Sequence, residues 1–334
     1  MTLILTCVTP YYAIQVSDRR LTFLDGRIRE HPENKTLFYN GFATFAYTGL
    51  ATIGRVPTDE WLMDRLGDSG SFGAALGALT DAATRALRNL NFAGATPQQR
   101  RVWRRLAVVG AGFVGLRHPE VQGRRAVPDH IHPFLSVVSN FFSLSGKWQH
   151  ESDVRFTCSF QYLPDNEEML LFAAGKPLSQ LQEKELKRSL RRCLSRSKSP
   201  WPAVRLLARQ VRAVWCADKK GVVGPNIMCM VLPRPTNPNQ VSVRGSPIPL
   251  RGQELTEIEV FRGPLSADEF DIEKQFIYWP YDSSAFPYYQ PNVVASDGRK
   301  VKGGRIAPVE VAGAEVLETA VLSAMRLPHR PRLP

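Results

Sequence analysis

The sequence predicts a layered α/β (α+β) fold built on antiparallel strand pairs, and three observations carry that prediction. Apolar runs of strand length come in couples joined by short turns, two pairs of amphipathic helices lie between strand blocks, and no strand–helix–strand repeat runs along the chain. Tight turns join antiparallel neighbours, whereas parallel neighbours need a long crossover. With 334 residues, 43% hydrophobic and 22% charged, the chain has enough apolar material for one large domain or two of moderate size.

The elements follow in order. "LILTCV" and "YYAIQV" flank a Thr-Pro turn and read as a hairpin of buried strands, which runs into "SDRRLT", too polar to continue a core strand. "TLFYNGFATFAYT" reads as a second hairpin about Asn40-Gly41. "TDEWLMDRLG" opens with a Thr cap and an acidic first turn, and "SFGAALGALTDAATRALRNL" continues as a second helix with small and apolar residues at three-to-four spacing. Strands are expected within 105–116, 133–144, 154–163 and 168–175, with a polar surface loop over 117–132. The stretch 184–212 splits at Ser199-Pro200 into two helices, with Leu186, Leu190 and Leu194 and then Val204, Leu207, Val211 and Val214 at helical spacing. "IMCMVL" reads as one more buried strand.

From about residue 235 the composition shifts to Pro, Asn and Gly, so residues 1–234 read as one domain and 235–334 as an extension. The extension is expected to be irregular and β-rich, with a terminal helix over 312–327.

Composition also excludes. No apolar run is long enough to span a membrane and the N-terminal run lacks a basic flank and cleavage site, so neither secretion nor membrane insertion is expected. Cys7, Cys158, Cys193, Cys216 and Cys229 show no paired spacing, which points to a reducing, cytoplasmic compartment rather than a disulfide framework. His130 and His132 form one local pair without further ligands, and neither a metal nor a cofactor is expected. The net charge of +12 concentrates in 99–106 and 184–212. Those arginines read as solvated helix faces, because no nucleic-acid-binding motif accompanies them.

The chemistry starts at Thr2. If Met1 is removed, which the small threonine side chain permits, one residue presents both a hydroxyl nucleophile and a free α-amine of pKa about 7.7–8.0. Such a site also needs a cation to hold down the amine's pKa and a carboxylate to place that cation. A strand out and a strand back return the chain to its starting end, which puts Asp18 beside Thr2, and Lys35 follows at the start of the next hairpin.

These residues resemble the N-terminal nucleophile hydrolases of the proteasome type, meaning proteasome β-subunits and their bacterial relatives. "SDRRLT" is similar to the family's Asp-x-Arg-x-Thr segment, giving Asp18, Arg20 and Thr22. Lys35 falls at the catalytic lysine with one residue inserted, and "AYTGLA" resembles the strand that supplies the oxyanion amide, here Gly49. The resemblance implies a four-layer αββα sandwich of two antiparallel sheets, catalysis by Thr2, Asp18, Lys35, Arg20 and Gly49, and substrate contacts from Leu21, Thr22, Tyr47 and Ala51. It covers about residues 2–233, with "LLFAAGKPLSQL" and "VGPNIMCMVL" matching less closely. Ala174 and Gly221 stand where the family has supporting serines. It further implies a threonine-type peptidase or amidohydrolase acting on a peptide or protein substrate, assembled as a homo-oligomeric ring or spiral. An ATPase partner is neither indicated nor excluded. The alternative is an inactive scaffold that meets acidic partners or nucleic acid through its basic helices.

Overall fold

The computed structural model describes residues 2–22, 28–29, 35–39, 43–67, 72–90, 92–115, 131–144, 152–219, 221–224, 227–234, 258–260, 276–278, 292–294 and 300–301. In chain order the strands are β1 Leu3–Val8, β2 Tyr12–Asp18, β3 Leu21–Thr22, β4 Ile28–Arg29, β5 Thr36–Tyr39, β6 Ala43–Gly49, β7 Thr52–Ile53 and β8 Val56–Pro57. Helices α1 Thr58–Gly67, α2 Phe72–Arg88 and α3 Pro97–Trp103 come next. Then follow β9 Leu106–Gly115, β10 Ile131–Ser139, β11 Thr157–Tyr162 and β12 Leu170–Gly175, helices α4 Gln180–Arg196 and α5 Trp201–Ala217, and β13 Ile227–Pro233. Beyond residue 234 lie β14 Ile258–Val260, β15 Phe276–Tyr278, β16 Asn292–Val294 and β17 Lys300–Val301.

Two stacked sheets make the centre. One runs β12-β1-β2-β13-β15-β14 and the other β11-β10-β9-β6-β5-β16-β17. Helices α1 and α2 lie against the seven-stranded sheet and α4 and α5 pair over the six-stranded one, giving the order α, β, β, α. The expected sandwich is therefore present, with its central pairings antiparallel. At two positions the chain after residue 234 adds a parallel neighbour, β15 on β13 and β16 on β5.

The layers follow from where apolar side chains fall. Both faces of β1 and β2 are covered, and every residue in these strands is buried. Ile4, Val8 and Ala13 face the inter-sheet core with Phe45, Phe113 and Phe134. Leu3, Leu5, Ile14 and Val16 face α4 and α5 through Leu190, Val204, Leu207 and Val211. Each such aliphatic contributes about 1.5–3 kcal/mol by leaving water. Between the sheets, Gln15 Nε2 donates to the Val109 carbonyl at 2.9 Å and the Thr36 hydroxyl meets Met228 Sδ at 2.8 Å, two polar ties within a largely apolar seam.

The sequence reading missed α3, where Thr96 and Gln99 form a reciprocal capping box, because its arginines registered only as charge. It also missed the short pairs β3–β4 and β7–β8, whose two-residue strands are too brief to show alternation. The Asn40-Gly41 turn, the loop over 117–130, His130 and the terminal helix at 312–327 lie outside the described residues. Among the described residues no helix is long and apolar enough to cross a membrane, and no cluster of three metal-ligating side chains occurs. All five cysteines are free thiols.

Candidate active site

One end of the sandwich collects the ends of six strands. There β1 begins after Thr2, β2 ends at Asp18, β5 begins after Lys35, β6 ends at Gly49, β12 ends at Gly175 and β13 begins at Ile227. Register makes the meeting unavoidable, since Leu3 lies opposite Gly175, Ile4 opposite Ser17, and Asp18 opposite Ile227.

Asp18 is fully buried, and its carboxylate is held by the backbone. Oδ1 accepts from the Leu3 amide at 2.7 Å, while Oδ2 accepts from the amides of Arg20 at 3.1 Å and Gly224 at 3.2 Å. Burying a carboxylate is costly unless its lone pairs are satisfied, and three amide donors plus a cation do that. The cation is Lys35, whose Nζ lies 3.5 Å from Asp18 Oδ2 with both side chains sealed from solvent.

Lys35 Nζ also donates to the Thr2 hydroxyl and to the Arg20 carbonyl. Burial pushes its pKa below the ordinary lysine value, an effect that Asp18 opposes and the neighbouring Arg19 and Arg20 reinforce. The amine is thus held where it can be neutral more readily than a surface lysine. Thr2 itself is 5% exposed.

Thr2 is fixed from its carbonyl side as well. The Lys176 amide donates to the Thr2 carbonyl at 3.0 Å, and the Thr48 hydroxyl reaches the same oxygen at 3.4 Å. Gly175 turns the chain there with φ +84°, and any Cβ at this position would overlap the Thr2 carbonyl. Gly49, at φ +117°, adjoins Thr48, and a Cβ on it would strike the Arg105 carbonyl.

A second polar group braces the first. Arg20 Nη1 donates to the Gly221 carbonyl at 2.7 Å, tying the segment after α5 to the Asp18 corner. Asp218 accepts from Lys176 Nζ at 2.6 Å and from the amides of Val222 and Val223 at 2.6 and 2.8 Å. Burial alone would raise its pKa, but those donors prevail and hold it down at about 2.

The structure therefore brings Thr2, Asp18, Lys35 and Arg20 together, with Gly49 one residue from Thr48. Leu21 and Thr22 form β3 and pair with Arg29 and Ile28. Tyr47 is 3% exposed, and its amide donates to the Lys35 carbonyl at 3.0 Å, which links β6 to the lysine. Ala51 offers its carbonyl to the Thr58 amide at 3.0 Å. Sequence reasoning did not single out Thr48, Gly175, Lys176 or Gly224 as supports. Gly175 was the legible one, a glycine closing a strand that must return to the N-terminus.

No protein-family model matches the chain, and no curated protein matches it significantly. Among solved structures it is similar to Anbu (ancestral beta-subunit) from Yersinia bercovieri, at 12% identity and a TM-score of 0.42 over 70% of this chain and 82% of that one. It is similar to the Anbu complex of Pseudomonas aeruginosa, solved as a helical assembly, at 13% identity and a TM-score of 0.40 over 72% of this chain and 83% of that one. The eukaryotic HslV of Trypanosoma brucei matches at 12% identity and a TM-score of 0.35, over 70% of this chain and 99% of that one.

Proposed function

We propose that this chain is an N-terminal threonine hydrolase that cleaves peptide or other amide bonds once Met1 has been removed. The observation that carries the reading is the buried chain of contacts from Asp18 through Lys35 to the Thr2 hydroxyl. A solvated lysine or a turn aspartate has no reason to be sealed beside a hydroxyl, and burying the pair costs stability that a structural role does not require.

In this mechanism the Thr2 oxygen attacks the substrate carbonyl carbon. Its proton passes to the α-amine of the same residue, directly or through water. The Gly49 amide receives the oxyanion, a role that requires a fixed donor in a site with little water. Collapse of the tetrahedral adduct expels the substrate's amine, which takes the proton, and leaves an ester on Thr2. Water then attacks that ester with the α-amine as base, releasing the acid and restoring the hydroxyl. Lys35 favours the oxygen anion and disfavours a protonated amine, Asp18 holds Lys35, and Arg20 braces the corner.

An extended substrate pairs with the backbones of Thr22 and Ala51 by strand addition. Since the Ala51 carbonyl already serves Thr58, its amide is the group it offers. Leu21 and Tyr47 border the side-chain pocket. The resemblance in the first fifty residues further supports a homo-oligomer, and the unpaired spacing of the five cysteines supports a cytoplasmic one.

Intact mass is the first test, because a chain retaining Met1 has no Thr2 amine to use. The second is labelling by a β-lactone or a peptide epoxyketone. We expect one adduct on Thr2 of the wild type and none on Thr2→Ala. Absence of the wild-type adduct from a chain shown to lack Met1 would overturn the proposal.

A further inference from the structure

The rim that holds Thr2 continues sideways along the seven-stranded sheet. Gly49 lies opposite Leu106 at the start of β9, Ala107 opposite Ser139 at the end of β10, and Ser139 opposite Thr157 at the start of β11. These strand ends therefore share the end of the sandwich that carries the candidate active site, and the segments 97–104 and 152–154 meet on that rim. Between them lies a cleft of about 650 Å³, with Arg100, Arg101 and Arg104 on one wall and Ser152 and Asp153 on the other.

Polar bonds hold both walls in place. Asn140, 5% exposed at the end of β10, accepts from the Leu106 amide at 3.1 Å and donates to the carbonyls of Arg104 at 3.0 Å and Asp153 at 3.2 Å. The Ser152 amide donates to the Arg101 carbonyl at 3.1 Å, and the Asp153 amide to the Asn140 carbonyl at 2.7 Å. Two of the guanidinium groups are themselves anchored, Arg100 Nε on the Ala95 carbonyl at 3.0 Å and Arg104 Nη2 on the Leu90 carbonyl at 2.7 Å. Each of those bonds uses one donor out of an arginine's five. The Asp153 carboxylate accepts from the amides of Val154 at 2.5 Å and Arg155 at 3.4 Å.

Three cations against one carboxylate on a concave wall focus a positive potential, and such a wall draws anions. Arginine meets a carboxylate through two parallel bonds, whereas like charges one helical turn apart repel by about 0.2–0.5 kcal/mol until an anion joins them. Position selects what carries the anion. The cleft centres on β10, which β9 separates from β6, so it stands about 10 Å along the rim from Gly49. An extended chain rises about 3.3 Å per residue, so a carboxylate about three to five residues from the scissile bond reaches the arginines while the reacting carbonyl is at Gly49. A free anion gains the charges but not the second anchor at Thr22 and Ala51.

We propose that this arginine cleft is a specificity subsite that takes an acidic side chain of an extended peptide substrate bound at Thr2. The subsite presupposes the hydrolase reading above, and binding and cleavage measured apart separate the two.

Thr2→Ala removes the nucleophile, so peptide binding to that full-length chain is read whatever the outcome for catalysis. The probe is a fluorescein-labelled dodecapeptide with glutamates at both ends of a central apolar segment, compared by anisotropy with its glutamine counterpart. The glutamate peptide binds about tenfold more tightly, and added salt shrinks the advantage. Arg100→Gln with Arg101→Gln removes it, and Arg100→Lys with Arg101→Lys keeps most of it. Lys184→Gln with Arg188→Gln, on the exposed face of α4, leaves it intact. In the chain with Thr2 and without Met1, the glutamates lower KM several-fold at unchanged kcat. Equal binding of the two peptides, loss of the advantage through the α4 variant instead, or displacement by micromolar inorganic phosphate would each overturn the proposal. Tight, arginine-dependent binding without cleavage upholds the cleft as an acidic-peptide site and overturns the hydrolase reading alone.

Discussion

The Lys35 ammonium lies 3.5 Å from the Asp18 carboxylate, and neither side chain reaches solvent. Lys35→Ala leaves the carboxylate buried with its amide donors but without its cation. We expect a loss of about 3–5 kcal/mol, the cost of stranding one member of a buried pair. Chemical denaturation measures it, and the double variant Asp18→Asn with Lys35→Met recovers part of the loss by removing both charges.

The same lysine gives stability a pH dependence. Its folded pKa lies below the ordinary 10.5 because of burial. Between the folded value and 10.5 the unfolded chain binds a proton that the folded chain has released, so stability rises with pH across that window. We expect the difference in unfolding free energy between wild type and Lys35→Met to grow from pH 7 to pH 10. A constant difference would mean that Lys35 keeps its proton.

Gly175 and Gly54 both have positive φ, at +84° and +66°, yet nothing lies within 4 Å of a Cβ built on Gly54. Gly54→Ala should cost about 1 kcal/mol, the price of the left-handed conformation alone. Gly175→Ala must in addition displace the Thr2 carbonyl. We expect a several-fold larger loss in melting experiments, together with loss of lactone labelling at Thr2.

Asp218, with its pKa held at about 2, contributes in acid. Its stabilisation is complete above about pH 4 and is lost as pH falls through the folded value, amounting to about 2 kcal/mol. Asp218→Asn should flatten the acid limb of stability between pH 4 and pH 2. Lys176→Met should flatten it in part, since the Val222 and Val223 amides remain.

Much of this was legible in the chain. The β1–β2 hairpin announces itself by two buried apolar runs, and its return carries Asp18 to Thr2 with no further information. The helical spacing in α5 marks Val204, Leu207, Val211 and Val214, all of which are buried. The supports on the Thr2 carbonyl were not legible, because Lys176 and Thr48 act there through long-range register rather than local pattern. Nor was the parallel pairing of β15 and β16, since three-residue strands carry no periodicity and their partners stand far back in the chain.

Those late strands bear on how the protein is made. On the ribosome β5 and β13 both emerge before β15 and β16, the neighbours that close their outer sides. Until then both sheets present an open edge, and pairings so distant in sequence form slowly. A nascent chain therefore displays two sticky borders until β15 and β16 arrive, and the time taken to translate residues 234–294 sets how long they stay exposed.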